Sequence, residues 1–318
     1  MKKVSVSTST FSVYDTSPLE SLEARGYEVS LNPFGRTLTE DEVIDLVKGS
    51  VGLIAGTESL NRGVLESLSD LRVIVRLGAG MDNVDREAAG ELGIAVTNTP
   101  DGPVLAVAEL TVGLALSLLR NITLMNGQMR EGTWKKRMGN LLFGKKVGII
   151  GYGRIGMKTG ELFQKLGCEV SFSDPMVASS HIGAERLSLP DLLASSDIVT
   201  IHAAGGETPL IGKEELAMMK EGAWLINCSR GTLIDETALL SALESGTLRG
   251  AALDVFGREP YDGPLTAMEN VIVTPHIGSY ALEARVTMEC DAVSMLLAAL
   301  EGAKENHSED SGGGDTTE

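Results

Sequence analysis

Three polar residues follow apolar, strand-like runs in the second half of the chain. Arg230 comes after "AWLINCS", Glu259 after "AALDVFGR" and His276 after "VIVTP". In doubly wound parallel sheets, ligands bind outside the carboxyl ends of the strands, where these side chains would lie. Histidine is the side chain whose ordinary pKa lies nearest neutral pH, so His276 is a candidate for moving a proton. Taken alone, a histidine at a strand end is more often structural, and both interpretations stay open at this point.

A glycine-rich turn precedes these residues. The run "VGIIGYGRIG" places Gly151, Gly153 and Gly156 in G-x-G-x-x-G spacing between a strand-like segment and a helical pattern. Glycines let the backbone approach a pyrophosphate, and the following helix contributes N–H donors and the positive end of its dipole. The next strand-like run ends in Asp174, whose carboxylate can accept the ribose hydroxyls of NAD and would repel the 2′-phosphate of NADP. No arginine follows in "SDPMVASS", so the sequence predicts NAD rather than NADP; the alternative is a glycine turn that only allows tight packing.

Four motifs occur in the order that one enzyme family shows. The runs "GYGRIG", "NCSRG", "ALDVFGREP" and "TPHIG" resemble those of the D-isomer-specific 2-hydroxyacid dehydrogenases, and the likeness extends to "LGAGMDNVD" in the first third of the chain. The resemblance implies that His276 exchanges a proton with the substrate hydroxyl, as base in oxidation and as acid in reduction. Glu259 would hydrogen-bond the imidazole and fix its tautomer, and Arg230 would hold the substrate carboxylate with its planar donor fork. Their joint occurrence favours catalysis over a structural role for His276.

The resemblance also implies residues along the cofactor. Asp254 would lie beside the nicotinamide amide, although a carboxylate that satisfies backbone donors is an equal alternative. Cys228 and Ser229 would line the cofactor too, while a small buried thiol explains Cys228 equally well. The remaining cofactor contacts that the resemblance implies are Arg154, Ile155, His276 and Gly278.

Substrate contacts are implied in the first third of the chain. Gly78, Ala79 and Gly80 of "LGAGMD" could offer backbone N–H groups to a carboxylate, or could simply form a turn. His202, in "TIHAAGG", is interpreted as a histidine near the cofactor without a catalytic role. His181 and His307 are interpreted as surface residues. No metal-ligand spacing occurs, so no metal site is expected.

Short β-rich runs alternate with helical patterns along the whole chain, which is typical of parallel βα units. We predict an α/β fold of two doubly wound parallel-sheet domains, a Rossmann-type NAD-binding domain (101–283) inserted into a flavodoxin-like substrate domain (1–100 with about 284–304). After a break at "NTPDGP", one long helix is expected from about Val104 to about Met129. The final helix is expected from about Tyr280 to Leu300, followed by a disordered acidic tail at 305–318.

The composition argues against several classes of partner. A net charge of −17 repels phosphate backbones and anionic lipid, so neither nucleic acid nor a membrane surface is expected. The longest apolar stretch, Val104 to Leu119, is shorter than a membrane span and contains Glu109. The three cysteines are odd in number and widely spaced, which indicates reduced thiols. Because "MKKVSVSTST" lacks an apolar signal segment, a cytoplasmic location is expected.

Within the family, "GMDNVD", "NTPDG", "WKKRMG" and "NCSRGTLIDE" are most similar to the branch that acts on 3-phosphoglycerate. A bound phosphate requires cations. The basic turn of "WKKRMG" either contacts the substrate phosphate, within one chain or across a dimer interface, or is solvated. That turn contains Lys135, Lys136 and Arg137. Gly56 stands where the branch often has an arginine, for which Arg62 or Arg76 could substitute. Ala204 replaces the proline of the family's usual H-x-P.

Two other functions stay open beside 3-phosphoglycerate oxidation. One is reduction of glyoxylate or hydroxypyruvate, or another D-2-hydroxyacid dehydrogenase activity. The other is a regulatory NAD sensor, because the corepressors called C-terminal binding proteins share this fold and triad. The long apolar helix is hard to cover within one chain, so a homodimer is expected, with a small 2-hydroxy or 2-oxo acid as the other partner.

Overall fold

The computed structural model describes residues 2–206 and 208–309, which form two compact units. The first unit comprises the residues up to Pro103 together with those from Ala281 onward. The second unit runs from Val104 to Tyr280.

In its described part, the first unit contains a five-stranded parallel sheet. The strands are β1 (Lys2–Val6), β2 (Tyr27–Leu31), β3 (Ser50–Ala55), β4 (Val73–Arg76) and β5 (Ala95–Asn98). They lie in the order β2-β1-β3-β4-β5, with every pair parallel. This is the flavodoxin-like order, in which ligands bind outside the carboxyl ends of the strands at the switch between β1 and β3. The connecting helices are α1 (Ser17–Ala24), α2 (Glu40–Val47), α3 (Arg62–Glu66) and α4 (Arg86–Glu91).

The described part of the second unit contains a seven-stranded sheet, also parallel throughout. The strands are β6 (Lys146–Ile150), β7 (Glu169–Ser173), β8 (Glu185–Arg186), β9 (Ile198–Ile201), β10 (Ala223–Asn227), β11 (Leu248–Leu253) and β12 (Val271–Val273). Their order is β12-β11-β10-β9-β6-β7-β8, the Rossmann arrangement with β12 added at one edge. The inner strands are buried on both faces, as their uninterrupted apolar runs predict. The prediction of two doubly wound α/β domains is confirmed.

The helix predicted from Val104 to Met129 is interrupted in the structure. It consists of α5 (Pro103–Arg120) and α6 (Ile122–Arg130). Between them Asn121 adopts the left-handed conformation, with φ 52° and ψ 38°. Asparagine tolerates this conformation better than most residues. The left-handed backbone at Asn121 ends the hydrogen-bond ladder of α5. The apolar pattern continues across the break, so periodicity alone did not reveal it. The other helices of this unit are α7 (Arg154–Lys165), α8 (Leu189–Ser195), α9 (Lys213–Met218) and α10 (Glu236–Glu244).

The last helix, α11 (Leu282–Glu309), belongs to the first unit. Its apolar side chains, among them Met288 and Leu296, pack with residues of the first sheet such as Val6 and Ile54. The helix continues past Leu300, so its backbone includes 305–309, the start of the segment predicted as a disordered tail. Residues 310–318 of that segment lie outside the described residues.

One helix of the described residues, α5, is apolar and long enough to cross a membrane. Its mean hydropathy is 1.6 over 18 residues, and half of that window is buried inside the protein. Helices in the cores of folded proteins have the same properties, so the feature is weak evidence for a membrane span.

Candidate active site

The three polar residues singled out from the sequence lie at the carboxyl ends of neighbouring strands. Arg230 follows β10, Glu259 follows β11 and His276 follows β12, and these strands are adjacent in the sheet. Gly231 lets the loops after β10 and β11 approach each other, because a Cβ there would lie 1.8 Å from the carbonyl carbon of Phe256. The second unit therefore brings all three side chains to one edge of its sheet.

His276 and Glu259 form a hydrogen-bonded pair. Nδ1 of His276 lies 2.8 Å from Oε2 of Glu259, and the other carboxylate oxygen accepts from the backbone N–H of Phe256 at 3.1 Å. A carboxylate partner favours the proton on Nδ1, which leaves Nε2 for exchange with a ligand. The side chains are 40% and 37% exposed, so a small molecule can reach them.

The surroundings of Glu259 keep its carboxylate ionised. Burial raises the pKa of this group, but the hydrogen bond and charge of His276, the N–H of Phe256 and the charge of Arg230 together lower the pKa below its ordinary value. Arg230 is therefore close enough to act electrostatically on Glu259. Its Nη1 donates to the carbonyl oxygen of Ser229 at 2.8 Å.

Asn227, which the sequence reasoning missed, shapes the loop that carries Arg230. This buried side chain donates from Nδ2 to the carbonyl oxygen of Arg230 at 2.8 Å, and its Oδ1 accepts from the N–H of Ser229 at 3.0 Å. The sequence signal was a polar residue at the end of an otherwise apolar strand, three positions before the arginine.

Asp254, directly after β11, anchors the turn that carries His276. Its Oδ1 accepts from Oγ1 of Thr274 at 2.6 Å and from the N–H of Ile277 at 2.8 Å, and its Oδ2 accepts from the N–H of Gly278 at 2.7 Å. Between these donors His276 has a φ of 54°, in the left-handed region. Burial raises the pKa of Asp254 despite the three donors. These contacts correspond to the interpretation of Asp254 as a carboxylate that satisfies backbone donors.

Each glycine of the fingerprint has a separate structural role. Gly151 has a φ of 85°, and a Cβ there would lie 2.4 Å from the backbone nitrogen of Ala203. A Cβ on Gly156 would lie 2.1 Å from the carbonyl oxygen of Gly151, so only glycine allows α7 to pack this closely. The Cβ position of Gly153 has no neighbouring heavy atom within 4 Å. Open space beside the start of α7, bordered by backbone, fits the pyrophosphate of a dinucleotide such as NAD.

Asp174 lies just after β7 and next to this turn. Its Oδ2 accepts from the N–H of Tyr152 at 2.7 Å, and its Oδ1 accepts from the N–H groups of Met176 at 2.7 Å and Val177 at 3.0 Å. Burial raises the pKa of Asp174, but these donors and the charge of Arg186 together lower it below the ordinary value. Because each carboxylate oxygen has two lone pairs, an ionised Asp174 can still accept ribose hydroxyls.

Arg186, on β8, is a second residue that the sequence reasoning missed. Its Nη2 donates to the carbonyl oxygen of Asp174 at 2.9 Å, although the two residues are 12 positions apart. The polar pair of residues that forms β8 gave no strand signal, so only the pairing of β8 with β7 brings this arginine to Asp174. A cation therefore lies beside the carboxylate at the ribose end of the fingerprint.

The other predicted cofactor residues lie on the same side of the second unit. Arg154 and Ile155 form the first turn of α7. Cys228 is buried, and burial raises the pKa of its thiol to about 12, so the thiol stays neutral. The hydroxyl of Ser229 donates to the carbonyl oxygen of Ala203.

The histidines without a predicted catalytic role have different environments. Burial lowers the pKa of His202 to about 3, so its ring is neutral, and Nε2 lies 3.0 Å from Oγ1 of Thr200. Ala204 is exposed in the loop that follows. His181 is exposed and lies 2.8 Å from Oε1 of Glu161. The side chain of His307 lies outside the described residues.

The predicted substrate loop, 78–80, follows β4 in the first unit. Gly78 has a φ of 130°, a backbone conformation that favours glycine, and Nη1 of Arg76 lies where a Cβ would be. The N–H of Gly78 already donates to Oγ1 of Thr99 at 2.8 Å. The N–H groups of Ala79 and Gly80 have no partner among the described residues.

The candidate cations for a phosphate differ in their contacts. Arg62 pairs with Glu91 at 2.6 Å on the exposed side of α3, and Nη2 of Arg137 lies 3.1 Å from Oε2 of Glu269. Arg76 lies at the end of β4, with Nη1 donating to the carbonyl oxygen of Leu77 at 2.8 Å. Lys135 and Lys136 are exposed.

The loop after β3 carries a buried acid next to Gly56. Oε1 of Glu58 accepts from the N–H of Gly56 at 3.0 Å and from the hydroxyl of Ser7. Glu58 is 2% exposed and forms no ion pair with another described residue. A buried carboxylate therefore lies beside Gly56, the residue that stands where the branch often has an arginine.

Comparisons with known proteins agree with this geometry. The family model for the NAD-binding domain of D-isomer specific 2-hydroxyacid dehydrogenases matches residues 112–278. The D-3-phosphoglycerate dehydrogenase of Methanocaldococcus jannaschii is 41% identical over 261 residues, which are 78% of this chain and 49% of that protein. The chain thus spans about half the length of the curated relatives that it matches.

Two solved structures match almost the whole chain. The TT0316 protein from Thermus thermophilus is 36% identical with a TM-score of 0.88, covering 94% of this chain and 97% of that one. The NAD-dependent formate dehydrogenase from Staphylococcus aureus, in complex with NAD, is 28% identical with a TM-score of 0.82, covering 94% and 95%. With its fold, its glycine fingerprint and its four ordered motifs, this chain belongs to the D-isomer specific 2-hydroxyacid dehydrogenase family.

Proposed function

We propose that this protein is an NAD-dependent dehydrogenase that transfers a hydride between nicotinamide and C2 of a D-2-hydroxy acid, with 3-phosphoglycerate and 3-phosphohydroxypyruvate as its substrate pair. The observation that carries the proposal is the 2.8 Å pair of His276 and Glu259, within electrostatic reach of Arg230. The fingerprint for the dinucleotide lies in the same unit. NAD, when bound, accepts or supplies the hydride.

His276 moves the proton that accompanies the hydride. In oxidation the neutral Nε2 takes the proton of the substrate hydroxyl, and in reduction the imidazolium returns a proton to the carbonyl oxygen. Glu259 holds the ring through Nδ1 and favours its charged form. The lowered pKa of Glu259 keeps this partner ionised through the range in which a histidine normally titrates.

Arg230 orients the substrate. A guanidinium presents a planar pair of N–H donors that matches a carboxylate, and it also polarises an adjacent carbonyl group. Asn227 fixes the backbone of Arg230 by donating a hydrogen bond to its carbonyl oxygen. A substitution to lysine retains the charge but removes the fork, so Arg230→Lys should lose activity while NADH binding persists.

Asp174 supports a preference for NAD over NADP. An ionised carboxylate accepts ribose hydroxyls and repels a 2′-phosphate, while Arg186 beside it reduces that repulsion. NADH is expected to raise the melting temperature of the protein more than NADPH at equal concentration. Equal shifts from the two dinucleotides would contradict this preference.

The phosphorylated substrate is proposed from the relatives named D-3-phosphoglycerate dehydrogenase. Arg76 and the basic residues 135–137 are the candidate phosphate ligands. One observation favours unphosphorylated hydroxypyruvate or glyoxylate as a second candidate: the buried carboxylate of Glu58 next to Gly56. An acidic side chain beside Gly56 gives a phosphate no cation to bind, whereas a hydroxyl group needs none.

The deciding experiment is a steady-state assay of NADH oxidation with 3-phosphohydroxypyruvate, hydroxypyruvate, glyoxylate and pyruvate. Wild type should reduce at least one of them, with the first expected to have the highest kcat/KM. His276→Ala should lower kcat on the order of a hundred-fold or more, which is the effect of losing a general acid or base. If wild type reduces none of these acids, an NAD-sensing binding protein becomes the better hypothesis. A mutant as fast as wild type would exclude His276 as the proton carrier.

We also propose a cytoplasmic location. The three cysteines, Cys168, Cys228 and Cys290, are all free thiols in the structure, which suits a reducing compartment.

A further inference from the structure

Tyr152 stands between the first two glycines of the fingerprint, and its side chain points into the protein. The ring is fully buried and stacks on Phe172 of β7, with 4.1 Å between the ring centroids and an interplanar angle of 18°. The G-x-G-x-x-G pattern sets no requirement at this position. A large side chain that ends in a hydroxyl group is therefore a property of this chain that the cofactor motif does not explain.

The phenol oxygen reaches the loop that follows Asp174. It lies 2.8 Å from Oγ of Ser180, which also accepts from the N–H of Ile182 at 3.2 Å. Gly160 of α7 leaves room for this contact, because a Cβ there would lie 3.3 Å from the phenol oxygen. A buried phenol requires a hydrogen-bond partner, and Ser180 provides it.

The same residue also contacts the other end of this loop. The backbone N–H of Tyr152 donates to Oδ2 of Asp174 at 2.7 Å. One residue of the pyrophosphate turn thus holds both Asp174 and Ser180. The intervening segment, 175–180, has no helix or strand of its own. Its other bonds include those from the N–H groups of Met176 and Val177 to Asp174 and from the N–H of Gly183 to the carbonyl oxygen of Ser180.

We propose that Tyr152, through its hydroxyl group, is a positioning residue for the adenosine half of the dinucleotide. The bond to Ser180 holds the segment 175–183 in the arrangement that presents Asp174 to the ribose and lines the space beyond it. This inference rests on the proposed function, since it assumes that the fingerprint binds NAD. It predicts an effect on dinucleotide affinity and none on the chemical step, because Tyr152 is buried beside β6, which three strands separate from β12 and His276 in the sheet.

The ordinary alternative is that Tyr152 only fills the core between β6 and β7. Tyr152→Phe separates the two roles, because phenylalanine keeps the ring and the stack on Phe172 and removes only the hydroxyl group. Ser180→Ala removes the same bond from the partly exposed side, together with the one from the N–H of Ile182, so the test survives if the first variant folds poorly. Tyr27→Phe, which removes the hydroxyl group of a largely buried tyrosine in the first unit, is the matched control.

The test measures backbone hydrogen exchange in the protein without dinucleotide, and calorimetric Kd values for NADH, ADP-ribose and nicotinamide mononucleotide. Tyr152→Phe and Ser180→Ala should each speed exchange in 175–183 alone. Each should also weaken NADH and ADP-ribose by about fivefold, the effect of one net hydrogen bond. Nicotinamide mononucleotide affinity and kcat should not change, the double variant should equal Ser180→Ala, which already lacks the bond to Tyr152, and Tyr27→Phe should match wild type.

An unchanged ADP-ribose Kd in both single variants would overturn the inference, even if their melting temperatures fell. Additive losses in the double variant would also overturn it, because the two hydroxyl groups would then act separately. If wild type itself binds neither NADH nor ADP-ribose, the proposed function fails first. If wild type binds both and the variants bind equally well, only the role of Tyr152 is refuted.

Discussion

At the scale of the residue, the carboxylates of the site accept hydrogen bonds from the protein backbone around them. Asp254 accepts three hydrogen bonds around His276, and Asp174 accepts three in the pyrophosphate region. Residues in left-handed backbone conformations such as that of His276 persist when their surroundings over-determine them. The turn after β12 is thus fixed by a buried acid on the neighbouring strand, which sets the position of the imidazole before any ligand binds.

Glu259→Gln tests whether the partner of His276 must carry a charge. Glutamine can still hydrogen-bond Nδ1, but it no longer stabilises an imidazolium. We expect kcat for reduction to fall at least tenfold with an unchanged NADH Kd. The measurement is a pH profile of kcat combined with an NADH titration.

The lowered pKa of Glu259 determines at which pH its charge beside His276 is lost. Because the folded value lies below the ordinary one, the contribution of this carboxylate is present above the ordinary pKa and is lost as pH falls through the folded pKa. Wild type should therefore keep its His276–Glu259 pair in mildly acidic solution. Glu244→Gln, on the exposed surface of α10, is the control that should leave the profile unchanged. An identical profile for Glu259→Gln would show that the charge is unnecessary.

The sequence predicted which residue types would gather at this site, but not how their backbone contacts would be arranged. Arg230, Glu259 and His276 were identifiable because each follows a strand-like run, and parallel strands place such residues at one edge. The bonds of Asn227 to the arginine loop depend on loop conformation, which single-sequence patterns do not specify. Arg186 was missed for a related reason, since its approach to Asp174 depends on a two-residue strand.

At the scale of the element, two glycines of the β6–α7 turn differ in their surroundings. Gly156 is needed for packing, whereas Gly153 borders open space. A methyl group at Gly156 would overlap the backbone of Gly151 at 2.1 Å, whereas one at Gly153 would meet nothing within 4 Å. Gly156→Ala should therefore destabilise the protein by about 1–3 kcal/mol, as overpacking does. Gly153→Ala should fold normally and weaken NADH binding, because its methyl group would occupy the space proposed for the pyrophosphate.

Thermal unfolding with and without NADH distinguishes these outcomes. Gly153→Ala should have the melting temperature of wild type without the dinucleotide and a smaller increase with it. Gly156→Ala should melt lower under both conditions. A normal NADH-induced increase in Gly153→Ala would mean that the open space beside α7 is not where the pyrophosphate binds.

Glu58, in the loop after β3, is hydrogen-bonded to residues that follow β1 and β4 in the first unit. It accepts from the N–H of Gly56 and from Ser7, while Nδ2 of Asn83 donates to its carbonyl oxygen at 2.7 Å. Glu58→Ala removes an acceptor from the buried hydroxyl of Ser7 and from the half-buried N–H of Gly56, so we expect a loss of about 1–3 kcal/mol in the free energy of unfolding. Urea denaturation measures the loss, and Glu28→Gln on the exposed face of β2 is the control. A loss no larger than that of the control would show that the loop geometry does not depend on this carboxylate.

Strands and most helices could be predicted because their patterns are local. The apolar runs of the parallel strands are bounded by glycine, proline and polar turns, and α2 begins with a capping box that Thr39 and Glu42 form. The break at Asn121 could not be predicted from periodicity, because α5 and α6 are both apolar and asparagine fits a helix interior acceptably. The decision between one helix and two depends on tertiary contacts such as that of Asn121 with the carbonyl oxygen of Met138, at 3.3 Å.

At the scale of the whole molecule, net charge and exposed apolar surface act in opposite directions. A charge of −17 makes copies of the chain repel one another. Yet one segment of the second unit, 134–143, exposes several large apolar side chains, with Trp134 at 80% and Met138 at 91%. Leu141 and Phe143 are exposed as well. Soluble monomers rarely leave so many large apolar side chains in contact with water within one short segment.

We therefore expect a homodimer that buries this segment, and we expect added salt to strengthen it. Salt screens the repulsion between the acidic chains and leaves the gain from apolar burial in place. Light scattering should give about twice the chain mass of 33.6 kDa for wild type, with a lower dissociation constant at high salt than at low salt. The double variant Met138→Glu with Leu141→Glu should be monomeric, because it introduces charges into the apolar contact. Met218→Glu, an exposed methionine on α9, should remain dimeric. A wild-type monomer at high salt would exclude the homodimer. A dimeric double variant would place the subunit contact outside this segment.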